Sequence, residues 1–150
     1  MIEFLLIDIK KCDKMNYKIN CKIKFRRIIM KKIPEAVGPY SAFRKAGDFL
    51  YISGQIAINP ENQKIEAITV EEQAKQVLEN IKAILENNGL TTQNVIKTTV
   101  LLDDIADFGA VNEIYANYFV EPFPARSAFA VDKLPKNVLV EIEAIAYCGK

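Results

Sequence analysis

Residues 123–146, FPARSAFAVDKLPKNVLVEIEAIA, constrain the fold more than any other part of the chain. From position 138 the pattern alternates: Val138, Val140, Ile142, Ala144 and Ala146 fall on one face of a strand, and Leu139, Glu141, Glu143, Ile145 and Tyr147 on the other. The first face requires a core. The second, apolar apart from its two glutamates, is too hydrophobic to be left in water, so a neighbouring subunit is expected to cover it. Together with the apolar run 125–131 and a polar turn carrying Pro135 and Asn137, the stretch predicts a β-hairpin.

Three charges sit inside these apolar strands. Counting pairs inward from Val131 opposite Val138 puts Arg126 near Glu143 and Ala128 near Glu141. One reading is a cross-strand ion pair, worth a few tenths of a kcal/mol to about 1 kcal/mol. The other is a half-buried guanidinium that grips a planar anion such as a carboxylate through its two-point fork, beside a carboxylate that handles water or protons. Spacing alone does not choose between them.

Composition narrows the chemistry. The 150 residues are 50% apolar and 26% charged, which fits one globular domain. There is no histidine, so the commonest general base, the Ser-His and Cys-His nucleophile pairs and most zinc sites are excluded. Carboxylates, hydroxyls, Arg, Lys and backbone groups remain. Cys12, Cys21 and Cys148 form no metal-binding spacing and imply a reducing, cytoplasmic setting. The six glycines make neither GxGxxG nor a phosphate loop, so neither a metal nor a cofactor is expected.

Charge is unevenly spread. Residues 1–29 hold eight Lys/Arg against three Asp/Glu, a net of +5, and the remaining 121 residues hold twelve against sixteen, a net of −4. The opening MIEFLLIDI is interrupted by Glu3 and Asp8 and is too short to span a bilayer, so no membrane segment or signal peptide is expected. Residues 1–29 read as a basic extension, solvated or poorly ordered, and Met30 is a candidate upstream boundary or alternative start. The compact domain is expected over 30–150.

Along that domain, Pro34, Gly38 and Pro39 mark an extended, turning entry. Strands are expected at 41–45 and 48–56, with Gly54 at a bulge or close backbone approach, then a polar connection through Asn59-Pro60 to Lys64. Thr69 and Glu72 form a capping box for a helix whose stripe runs through Val70, Ala74, Val77, Leu78, Ile81, Ile84 and Leu85 to a Gly89 terminator. A strand over 95–102 follows. Next comes a helix capped by Asp107, carrying Phe108, Val111, Tyr115, Tyr118 and Phe119, with Asn112 beside that stripe. The order β-β-α-β-α-β-β predicts an α+β domain, a mixed sheet with two helices on one face and parallel crossovers where helices link strands.

GPYS at 38–41, ISGQI at 52–56, VN at 111–112 and PARSAFAV…LPKNVLVEIEAIA over 124–146 together resemble the RidA/YjgF family of reactive-imine deaminases. The resemblance covers residues 30–150 and leaves 1–29 without a counterpart. It implies a chorismate-mutase-like α+β fold, a homotrimer, and clefts between neighbouring subunits. It implies hydrolysis of enamines and imines such as 2-aminoacrylate and 2-aminocrotonate, released by pyridoxal-phosphate dehydratases, to 2-keto acids and ammonia. By position, Arg126 resembles the family's carboxylate anchor and Glu141 the acid that orients or polarises water. Tyr40, Ser53, Gly54 and Asn112 match cleft-lining positions, and Ala128 a position that contacts ligand through its backbone. Many members have Cys where this chain has Ala128, so a mechanism needing that thiol is excluded here. The link 119–124 looks shorter than in many members, which bears on cleft shape.

The alternatives are a noncatalytic trimer that binds small carboxylated metabolites or proteins, and RNA cleavage or translation inhibition. The −4 charge of residues 30–150 offers RNA little attraction, so nucleic acid is not an expected partner.

Overall fold

The computed structural model describes residues 30–149, together with strands β1 (Leu5–Leu6) and β2 (Arg26–Arg27), which pair antiparallel. The remainder of the 1–29 extension lies outside the described residues. The chain divides into two compact units, Met1–Met30 and Lys31–Lys150.

The second unit opens with the antiparallel pair β3 (Phe43–Ala46) and β4 (Phe49–Gln55), joined through Gly47 at φ +57°, a conformation that favours glycine. The connection read as polar loop contains a short hairpin, β5 (Ile58–Asn59) with β6 (Lys64–Ile65). Its Asn and Gln side chains hid so brief a pairing from any periodicity argument.

Helix α1 (Val70–Asn87) begins at the expected capping box. Thr69 Oγ1 accepts from the Glu72 N–H, and Glu72 reaches back to the Thr69 N–H. The helix ends before Gly89 at φ +74°. Its stripe of Ala74, Val77, Leu78, Ile81, Ile84 and Leu85 is buried against Leu50, Ile52, Val100, Ile142 and Ala144 of the sheet. Each of its Val, Leu and Ile side chains contributes about 1.5–3 kcal/mol when fully buried.

Strand β7 (Val95–Leu102) follows, then α2 (Phe108–Tyr115). Asp107 makes no side-chain cap. The capping bond comes earlier, where Asp104 accepts from the Ala106 N–H at 2.9 Å and starts a 3-10 turn over Ile105–Asp107. The α-helix is also shorter than its apolar stripe, because residues 116–118 form turns, yet Phe119 remains buried.

Strands β8 (Ala125–Ala130) and β9 (Val140–Tyr147) complete a five-stranded sheet in the order β3-β4-β9-β7-β8. Both helices pack on one face. β4 and β7 each run antiparallel to β9, and β7 runs parallel to β8, so both helix-linked pairs are parallel crossovers as expected.

The predicted hairpin is corrected by this order. β8 and β9 are not neighbours, because β7 lies between them. A strand as apolar as β9 buries more by sitting between two partners, β4 and β7, than at the end of a hairpin. The connection makes this possible: Val131 N–H bonds Leu102 O at 2.9 Å, and a 3-10 turn over Pro135–Asn137 puts Lys136 and Asn137 at φ 57° and 55°. The Leu139 N–H, bonded to Gln73 Oε1 at 2.8 Å, then leads the chain back into the sheet.

Register changes with it. Arg126 stands opposite Thr98 and Ala128 opposite Val100, while Glu141 stands opposite Leu101 and Glu143 opposite Thr99. The expected proximity of Arg126 to Glu143, and of Ala128 to Glu141, is therefore wrong. Paired residues share a face, so Arg126 and Ala128 project on the helix side of the sheet with buried Thr98 and Val100. Glu141 and Glu143 project on the open side.

Candidate functional site

The seven residues singled out from sequence fall into two groups on opposite faces of the sheet. The first lies where edge strand β8 meets α2. Arg126 is exposed, and its guanidinium carbon lies 4.8 Å from the ring centroid of Tyr115 and 5.4 Å from that of Phe108. Among the described residues no carboxylate forms an ion pair with it. The structural ion pair considered from spacing is thus not made among the described residues, and the contacts the guanidinium makes are with its two rings.

Phe108, Asn112 and Tyr115 recur at four- and three-residue spacing on α2, so Asn112 lies on the stripe whose other members carry Arg126. Asn112 is half-buried, and its backbone carbonyl accepts from the Ala116 N–H at 3.0 Å. Ala128, two residues beyond Arg126 on the same face, packs against the core. Tyr115 is buried, and its hydroxyl lies 2.8 Å from Thr98 Oγ1. Burial raises its pKa, offset in part by the Thr98 hydrogen bond and the Arg126 charge.

The second group lies on the open side around a β-bulge. Ile52 pairs with Ala144 and Gln55 with Ile142, so Ser53 and Gly54 together oppose the single Glu143. The bulge brings Gly54 against the Glu141 carboxylate. A Cβ at position 54 would overlap Glu141 Oε1 and crowd Cδ, so glycine is what makes room for the acid. Burial, and then the charge of Glu143, raise the Glu141 pKa. A carboxyl held in that way exchanges protons more readily near neutral pH than an ordinary surface glutamate.

Ser53 donates through Oγ to Ser41 O at 2.7 Å and through its N–H to Ala42 O at 3.0 Å, which ties the bulge to the chain ahead of β3. Tyr40 is exposed, and its hydroxyl accepts from the Val37 N–H at 3.4 Å. Tyr40 and Gly54 border one small pocket that Pro34, Val37, Ala42 and Ile56 also line. A roomier groove of about 510 Å³ runs between Lys75, Glu79 and Lys82 of α1 and Ile114, Asn117 and Tyr118, and it contains none of the seven.

Sequence reasoning placed Phe108 and Tyr115 only in a core stripe and left Thr98 unremarked. The available signal was an aromatic at each end of a two-turn helix followed by an arginine strand, but nothing in a linear reading says that this strand packs on that helix. Among the described residues no group of three or more His, Cys, Asp or Glu is placed to hold a metal ion, and no helix is long and apolar enough to cross a membrane.

Residues 30–148 match the family model described as Endoribonuclease L-PSP. A RutC family protein of Pyrococcus horikoshii is 53% identical over 120 residues, covering 80% of this chain and 95% of that protein. The human protein named 2-iminobutanoate/2-iminopropanoate deaminase is 49% identical over 125 residues, covering 83% of this chain and 91% of its own length. The solved structure of Escherichia coli TdcF with bound serine is similar at a TM-score of 0.74 and 41% identity, covering 83% of this chain and all of that one.

Proposed function

This chain belongs to the Endoribonuclease L-PSP family, the RidA/YjgF proteins, and we propose that it hydrolyses reactive 2-imino acids, with their enamine tautomers, to 2-keto acids and ammonia. Its relatives support the reading in two ways. Several carry the name of that deaminase, and TdcF is seen with serine, a small molecule bearing a carboxylate next to a nitrogen-substituted carbon. The most similar relative reported above is named only as a RutC family protein, so the activity rests on the site rather than on identity alone.

The observation that carries the proposal is the division of the site. Arg126, which has no carboxylate partner among the described residues, suits a substrate carboxylate, and Glu141, pressed against Gly54 with a raised pKa, suits a water molecule and its protons. Within one chain they are on opposite faces of the sheet. A second copy whose open face covers the β8–α2 edge of the first would bring them together, and a homotrimer would hold three such clefts. The open face has reason to be covered, since Tyr51, Phe129 and Tyr147 are each more than two-fifths exposed there.

In that cleft the two-point fork of Arg126 orients the imino acid, with Asn112 and the Ala128 backbone beside it and Tyr40 and Ser53 lining the opposite wall. Glu141 takes a proton from water as oxygen adds to the protonated imine carbon, forming a carbinolamine. Glu141 returns that proton to nitrogen, and as the C–N bond breaks it accepts the proton that the carbinolamine hydroxyl releases on becoming the keto oxygen, which then passes to the departing ammonia. One water is consumed, the 2-keto acid forms, and ammonia leaves carrying the nitrogen electron pair. The iminium is already electrophilic, so positioning and one proton relay supply what catalysis requires.

The direct test generates 2-aminocrotonate with a threonine dehydratase and follows keto-acid formation with catalytic amounts of this protein. The proposal predicts acceleration proportional to protein concentration. No acceleration alongside measurable binding of 2-ketobutyrate would replace it with a noncatalytic binder of carboxylated metabolites. The ribonuclease of the family description is not adopted, because residues 30–150 carry a net −4 and attract RNA weakly.

A further inference from the structure

We propose that Phe108 and Tyr115 are positioning residues for Arg126, an aromatic platform on α2 that fixes the guanidinium in its carboxylate-binding pose before ligand arrives. This deepens the function proposed above and rests on its assignment of Arg126 as the anchor.

Arg126 stands on an edge strand and is exposed, a setting in which a long side chain ordinarily samples many rotamers and loses that freedom on binding. Here the guanidinium lies over two ring systems, at 4.8 Å and 5.4 Å, distances at which a cation is attracted to the faces of aromatic rings. Contact with ring faces occupies the plane of the guanidinium and leaves its N–H edges for an anion.

The platform is itself held. Tyr115 is 5% exposed, its ring centroid lies 4.3 Å from that of Phe119, and its hydroxyl is hydrogen-bonded with Thr98. Thr98 is the residue on β7 directly paired with Arg126 on β8. Helix α2, strand β7 and strand β8 are therefore linked through one tyrosine, and a shift of any of the three would move the anchor.

Phe108 is the member to test, because it is 39% exposed and its removal spares the core. In Phe108→Leu the affinity for 2-ketobutyrate, read by calorimetry, is expected to fall about two- to fivefold, with an unchanged melting temperature. In turnover assays the loss should fall mainly on KM. Phe108→Tyr, which retains a ring, should restore both. The Arg126 side-chain resonances of the ligand-free protein should show upfield ring-current shifts that shrink in Phe108→Leu.

Arg126 resonances at random-coil positions in the parent protein, or parental affinity in a well-folded Phe108→Leu variant, would overturn the platform. These readouts use ligand binding and spectra, so they stand whether or not imine hydrolysis is accelerated. A parent that binds 2-ketobutyrate with the predicted shifts but lacks turnover would support the platform and defeat only the deaminase reading.

Discussion

In the proposed site, Glu141 sets stability against chemistry at a single residue. Its carboxyl is raised by burial and by Glu143, so ionisation is costlier in the folded chain than in the unfolded one. The sign follows from proton linkage: the cost is fully present above the folded pKa, declines as pH falls through that value, and is gone below the unfolded pKa. Glu141→Gln should therefore melt above the parent at about pH 7.5, with the difference closing near pH 3, while turnover falls on the order of 100-fold. Melting curves at both pH values check the first part, and a gap that persists in acid would contradict it. Gly54→Ala approaches the same acid from the backbone. The added Cβ claims the space of a carboxylate at the end of a flexible side chain, so the acid swings aside at small cost. Turnover should drop about as far as in Glu141→Gln, with a melting temperature within a few degrees of the parent. For Arg126→Lys most activity should be lost, since an ammonium cannot reproduce a two-point fork; near-parental turnover would remove the anchor assignment.

Among the elements, the segment ahead of β3 brings Tyr40 to the small pocket that Gly54 borders and is fastened at separate points. Asn87 bonds both the N–H and the C=O of Lys31, each at 2.8 Å, and Gln63 accepts from the Glu35 N–H at 3.0 Å. Asn87→Ala should cost about 1 kcal/mol and speed amide exchange across residues 31–40, leaving α1 protected; unchanged exchange there would show that the clasp is idle. How much could be read in advance differs by element for physical reasons. Helix α1 was legible because its cap, period and terminator are all local signals. The faces of β9 were equally legible, since alternation fixes them. Its neighbours were not: alternation says which side chains point together and nothing about which strand lies alongside, so it does not distinguish a hairpin from the observed order β4-β9-β7. Arg126, Glu141 and Gly54 could be marked as unusual from sequence, but their division between two faces emerged only once β7 stood between β8 and β9. The aromatic platform was out of reach, because it depends on α2 packing beside β8.

In the proposed assembly, one chain carries two half-sites, and a neighbouring copy completes each of them. Arg126 and Ala128 belong to the helix side of an exposed edge, and Gly54 and Glu141 to the open face of the same sheet. Mixing two nearly inactive variants tests this most directly. Arg126→Ala and Glu141→Gln should each be nearly inactive alone, but after co-expression or joint refolding a cleft formed between unlike chains can combine the intact Arg126 of one with the intact Glu141 of the other. Random assembly puts both intact residues in about a quarter of the clefts. Activity toward 2-aminocrotonate should recover to about that fraction of the parental value. A mixture that stays as inactive as its components, while the parent treated in the same way is active, would contradict that assembly.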